Sequence, residues 1–183
     1  MPVTEATFEA IVLEDGDGTW ELHCGRLREK PPMSFAHNES ARDLAYQLVR
    51  QLSPNEYRVF QNDGHLRAPN GATYVPDVAV VQRSLMARFR DRPESYEVYD
   101  EAVPFVAEAW SPKTGTYDIE TKFPAYRLRG DAEIWRVHPF HRTVTIWRRQ
   151  PDGSYEESHY REGIVRPIAL PGVEIDLAVL FDM

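Results

Sequence analysis

The sequence predicts an α/β (α+β) fold, with a central mixed β-sheet flanked by helices. Three observations carry this reading. Residues 36–52 place Ala41, Leu44, Ala45, Leu48, Val49 and Leu52 at alternating spacings of three and one, the pattern of one apolar helix face. Val103 to Trp110 is a near-continuous apolar run of strand length, suited to a central strand covered on both faces. Further short strand-like segments, separated by turn signals, fill much of the rest.

In chain order, residues 4–13 read as a short helix with Thr4 as N-cap. Asp15-Gly16-Asp17-Gly18 reads as a turn. Residues 19–29 form a strand or a hairpin through Gly25. Ser34 or Asn38 caps the long helix of 36–52. Tyr57 to Gln61 is a strand, Asn70-Gly71 is a hairpin turn, and Thr73 to Val81 is another strand. Arg83 to Arg92 is polar and basic, one helical turn and a loop. A helix within 117–129 ends near Gly130. Glu133–Val137, Thr143–Arg149 and Tyr155–Arg161 follow as a β-meander with Asp152-Gly153 as a turn, and 167–181 is a short strand pair with a terminal turn. With 183 residues and no internal repeat, one domain spanning 1–183 is expected.

A composition of 42% hydrophobic and 27% charged residues excludes collagen-like, disordered and mucin-like chains. One cysteine, Cys24, excludes an internal disulfide and a cysteine-based zinc finger, and suits a reducing compartment. No run of about 18 apolar residues is present to span a membrane. The acidic N-terminal stretch lacks the basic n-region of a signal peptide. A cytoplasmic location and no membrane partner are therefore expected.

The net charge of -8 argues against a protein that coats nucleic acid nonspecifically. The positive charge is nonetheless clustered. Residues 83–92 hold four arginines against one aspartate, and residues 122–149 hold seven Lys or Arg against two acids. Such segments near a site suit a phosphate-lined approach; the plainer alternative is a pair of solvated faces.

Two carboxylates sit in unlikely surroundings. Asp77 lies within Tyr-Val-Pro-Asp-Val-Ala-Val-Val and Glu108 within Val-Pro-Phe-Val-Ala-Glu-Ala-Trp. Strand alternation places Val106, Glu108 and Trp110 on one face. Burying an unpaired carboxylate costs several kcal/mol, and two on neighbouring strands repel. A divalent cation relieves both penalties, and hard oxygen ligands select magnesium or manganese over zinc. Lys122 is one of only three lysines, with Lys30 and Lys113, and stands four residues after Asp118. Pro124 requires the helix to start near Lys122 or to bend there.

These residues resemble the Uma-two family of small restriction-endonuclease-like proteins, within the PD-(D/E)XK nuclease superfamily. The resemblance runs through Pro76-Asp77, Glu108 with Ser111, Asp118, Lys122, Tyr126, Gly130, Glu133 and Trp135. Trp20-Glu21-Leu22, Gly25, Pro32, His37, Leu170-Pro171-Gly172 and Leu180-Phe181 extend it to roughly residues 19–181. It implies a restriction-endonuclease-like core and Mg²⁺- or Mn²⁺-dependent hydrolysis of DNA phosphodiesters, with a homodimer as the assembly. Asp77, Glu108 and the Ala109 carbonyl would hold the metal, with Asp77, Glu108 and Lys122 catalytic. In the superfamily pattern the lysine lies two residues beyond the strand acid, where this chain has Trp110, so Lys122 must supply the ammonium from the following helix.

Each residue also has a non-catalytic alternative. Asp77 can accept backbone N–H groups at a strand edge, Glu108 can pair with Arg127, and Lys122 can be a solvated helix residue. Asp118 can cap a helix or pair with Lys122. His37 reads as a first-turn helix residue bonded to local backbone and as a possible pocket residue, and Glu39 as exposed. His138 and His141 lack a third ligand for a metal. Trp110, Trp135, Trp147 and Tyr126 read as core. Two other functions compete with the nuclease. One is a catalytically inactive nuclease fold acting as a binding or assembly module. The other is a hydrolase of small phosphate or sugar substrates using paired carboxylates.

Overall fold

The computed structural model describes residues 2–15, 18–92 and 95–182. Thr4 caps α1 (Glu5–Glu14) by accepting the Thr7 amide at 3.2 Å. Of the expected 15–18 turn, Gly16 and Asp17 lie outside the described residues. The strands β1 (Trp20–His23) and β2 (Arg26–Glu29) form the expected hairpin. Cys24 and Gly25 both have positive φ, 49° and 71°, the two left-handed residues that a tight hairpin with matching twist requires.

Ser34 caps α2 (Phe35–Val49), which buries His37, Ser40, Ala41, Leu44, Ala45 and Leu48. Val49, placed in the apolar stripe, is exposed instead, at the last residue of the helix. Then come β3 (Tyr57–Gln61), β4 (His65–Arg67) and β5 (Thr73–Tyr74), with the Asn70-Gly71 turn between β4 and β5. The single strand expected over 73–81 is two strands. β5 belongs to one sheet, and β6 (Val78–Gln82) to another. Val75-Pro76-Asp77 crosses between them, and Pro76, with no N–H to donate, suits a break in a ladder. A 3₁₀ segment (Arg83–Phe89), β7 (Val98–Tyr99) and β8 (Phe105–Ala109) follow.

The next helical segment has three parts: α3 (Gly115–Tyr117), a π-helical turn (Asp118–Lys122) and α4 (Phe123–Arg129), closed by Gly130 at φ 79°. The π turn answers the Pro124 question. Pro124 cannot donate to the carbonyl four residues back and its ring crowds that carbonyl, so the preceding turn widens. The Phe123 amide accordingly reaches back to the Asp118 carbonyl. The meander is β9 (Glu133–His138), β10 (Thr143–Arg149) and β11 (Tyr155–Tyr160). A short pair, β12 (Ile164–Val165) with β13 (Ile175–Asp176), leads into α5 (Leu177–Leu180).

The larger sheet runs β11-β10-β9-β8-β6-β3 and is mixed, with β8 and β9 parallel and its other neighbours antiparallel. The smaller sheet runs β2-β1-β5-β4-β7. Alternation divides β8 as expected. Phe105, Ala107 and Ala109 join Val78, Val80, Leu44 and Leu48 on the face covered by α2 and the C-terminal segment. Val106 joins Ala79, Val81, Phe123 and Tyr126 on the opposite face, covered by α4 and the smaller sheet. Among the described residues no helix is long and apolar enough to cross a membrane.

Candidate active site

Two central strands bring the carboxylates together. β6 pairs antiparallel with β8 through Val78 and Ala107, so one further step sets Asp77 opposite Glu108. The two residues clasp each other's strands. The Asp77 amide donates to Glu108 Oε2 at 3.3 Å, and the Ala109 amide donates to Asp77 Oδ2 at 2.7 Å.

Lys122 reaches this pair from the π turn. Its Nζ lies 3.2 Å from Glu108 Oε1, 2.7 Å from Glu21 Oε1 and 3.7 Å from Asp118 Oδ1. At 2% exposure it is not a solvated helix residue. One helical turn on, Tyr126 donates its hydroxyl to Glu108 Oε1 at 2.6 Å. Glu108 therefore does not pair with Arg127, whose guanidinium lies over the Trp147 and Tyr155 rings.

A second group surrounds Asp77. His37 is fully buried, and its Nε2 lies 2.8 Å from Asp77 Oδ2, so it faces the site as well as making a local contact from Nδ1 to Asn38. Lys30, just past β2, puts Nζ 2.7 Å from Asp77 Oδ1, and also donates to Asn62 Oδ1 at 2.8 Å and to the Val75 carbonyl at 3.0 Å. A cavity of about 10 Å³, room for one water or ion, opens among Lys30, Asp77, Glu108, Asp118, Lys122 and Arg28.

The chain matches the Uma2 family, described as "Putative restriction endonuclease", over residues 6–179. The chain belongs to the Uma2 family. Among solved structures it is similar to a "putative nuclease belonging to DUF820" from Anabaena variabilis ATCC 29413. The TM-score is 0.72 and the identity 19%, over 88% of this chain and 89% of that one. That likeness shows a shared fold, mixed sheets flanked by helices. No curated protein matches.

In this Uma2 chain the electrostatics of the site follow from burial. Four buried carboxylates, Glu21, Asp77, Glu108 and Asp118, face Lys122, Lys30 and the His37 imidazole. Burial pushes the Asp77 carboxyl up, but Lys30, His37 and Lys122 together hold it well below the usual carboxylate range. Burial drives Glu108 well above its ordinary value; Lys122 opposes this, while Asp77 and Asp118 add repulsion. Burial likewise raises Asp118, against the pull of Lys122. Burial pulls Lys122 down, and the surrounding carboxylates, Glu108 first, more than reverse it.

These groups fit a hard divalent cation. The carboxylates outnumber the ammonium groups, and Asp77 Oδ1 meets Lys30 as an ion pair without accepting a well-directed hydrogen bond. Among the described residues no three His, Cys, Asp or Glu side chains form a metal cage by themselves. Magnesium does not need one, since it is held by one or two carboxylates and keeps several waters.

Sequence reasoning singled out Asp77, Glu108 and Lys122, and the fold brings all three together. It named Glu21, Lys30 and Tyr126 but gave none of them a role in the site. The rarity of lysine was the signal for Lys30; Glu21 was read only as part of Trp20-Glu21-Leu22 and given no role in the site. Other expectations change. Glu39 is partly buried and paired with Arg42. Trp110 is not core: its indole stacks on His138 at 4.3 Å, and His138 stacks on His141 at 3.8 Å. The basic segments do not simply line an approach, because Arg88, Arg129 and Arg148 pair with Glu101, Asp131 and Glu133 within the fold.

Proposed function

We propose that this single restriction-endonuclease-like domain is a Mg²⁺- or Mn²⁺-dependent endonuclease that hydrolyses DNA phosphodiesters. The observation that carries the reading is the convergence of Asp77, Glu108 and Lys122 on one small cavity. Membership of a family described as "Putative restriction endonuclease" supports the substrate class. Asp77 and Glu108 are the metal-holding carboxylates. Ala109 adds its carbonyl: in a strand the amide and carbonyl of one residue face the same neighbour, and this amide faces Asp77. A bound divalent ion acidifies water and neutralises charge on the phosphate. Lys122 orients the attacking water or stabilises the charge that develops. Tyr126 and the Asp77 amide hold the Glu108 carboxylate in place.

The test is cleavage of supercoiled plasmid DNA in Mg²⁺ or Mn²⁺. Wild type converts it to nicked or linear forms, and Glu108→Gln, which keeps shape and removes charge, does not. Cleavage by the variant at the wild-type rate removes the assignment. Light scattering on the same samples tests the homodimer.

One observation favours a second reading, an inactive nuclease fold used for binding or assembly. Both metal-holding carboxylates already face a buried ammonium, Asp77 that of Lys30 and Glu108 that of Lys122. This reading expects no Mn²⁺ binding at Asp77.

A further inference from the structure

Lys30 is a cation that the PD-(D/E)XK pattern does not require. It arrives from the smaller sheet and lies almost wholly buried against the larger one, with its side chain 7% exposed. Its ammonium sits in a cradle of three oxygens: Asp77 Oδ1, Asn62 Oδ1 and the Val75 carbonyl. Three oxygens at 2.7–3.0 Å around one positive charge resemble the hard-oxygen surroundings of a metal ion. The backbone holds this cradle in place. Asn62 adopts the left-handed region at φ 52°, and its amide donates to the Asp77 carbonyl at 3.0 Å, which ties the cradle to the backbone of Asp77.

We infer that Lys30 is a tethered cation that competes with the divalent ion for Asp77 Oδ1, so that it raises the metal concentration at which the site loads. The inference rests on the metal-site reading above. Asp77 Oδ2 is engaged by His37 and the Ala109 amide, whereas Oδ1 is buried, accepts no directed hydrogen bond among the described residues and meets only the Lys30 charge, so an incoming ion would have to share it with Lys30. A divalent ion and an ammonium within a few ångströms of one carboxylate oxygen repel each other strongly in a buried site. Lys30 need not leave the fold, because Asn62 and Val75 still accept its hydrogen bonds after Asp77 is released. Before loading, the same ammonium balances the buried Asp77 charge. Lys30 is thus a positioning residue, acting through Asp77.

The experiment is Mn²⁺ titration by calorimetry and electron paramagnetic resonance. It uses wild type, Lys30→Met, Lys30→Gln and each of these with Asp77→Asn; circular dichroism and thermal melting report folding. Lys30→Gln keeps a donor for the cradle, so it stands if the Met variant fails to fold. The expected result is Mn²⁺ affinity roughly tenfold or more above wild type in the Lys30 variants, abolished by Asp77→Asn. Equal or weaker affinity in a folded Lys30 variant, with wild type binding at Asp77, overturns the inference and leaves the metal reading intact. Absence of Asp77-dependent Mn²⁺ binding in wild type and variants alike overturns both.

Discussion

The Lys122 ammonium lies 3.2 Å from Glu108 Oε1, although the strand that carries Glu108 leads into Trp110 and supplies no lysine of its own. The ammonium comes instead from a π-helical turn and reaches Glu108, Glu21 and Asp118 together. The same side chain therefore serves the proposed chemistry and neutralises buried charge.

Removing it should be costly on both counts. Lys122→Met leaves Glu21, Glu108 and Asp118 without the ammonium they share. Breaking a buried ion pair on one side costs about 3–5 kcal/mol, and loss of this magnitude is expected in urea unfolding. Plasmid cleavage should fall by about 10²-fold or more. A stability loss within about 0.5 kcal/mol, the scale of a surface substitution, would contradict the buried network.

Pro124 sets the placement of Lys122. Pro124→Ala restores an amide to the Glu120 carbonyl and lets the widened turn relax to an ordinary α register. Asp118 and Lys122 then shift relative to Glu108. Thermal stability should hold or rise by a few degrees, on the order of 1 kcal/mol, while cleavage falls about tenfold or more. Unchanged cleavage would show that the π turn does not position the lysine.

The smaller sheet carries a pH dependence of its own. The His65 ring packs against Tyr96 and Phe8, and its Nε2 has no hydrogen-bond partner among the described residues. Burial lowers its pKa to about 4, against weaker upward pulls from Asp63, the Trp20 backbone and Glu21. Below its ordinary value of 6.5 the unfolded chain takes up a proton that the folded chain refuses until about 4. The contribution is complete above pH 6.5 and is lost as pH falls through this window, by about 3 kcal/mol. His65→Phe should remove that part of the slope in stability measured between pH 7 and 4; an identical slope would show that His65 is not its source.

Much of the scaffold was legible because its signals are local. The α2 stripe, the Asn70-Gly71 turn, the Gly130 cap and the β8 run each depend on neighbours within a few positions. Asp77 and Glu108 were legible for a related reason: a carboxylate within an apolar run advertises an unpaid desolvation cost. The break at Pro76 was less plain, since apolar residues continue on both sides and only the division of strands between two sheets separates them.

The sequence by itself determined the α+β class, most of the elements and the two strand carboxylates, because hydrophobic periodicity, turn chemistry and charge in an apolar run are properties of short stretches. Tertiary structure alone decided which groups balance those carboxylates. His37 and Lys30 meet Asp77, Glu21 meets Lys122, and Tyr126 meets Glu108 across different helices and sheets. Electrostatic pairing depends on distances of a few ångströms in space, and sequence separation does not encode those distances until the sheets and helices are packed.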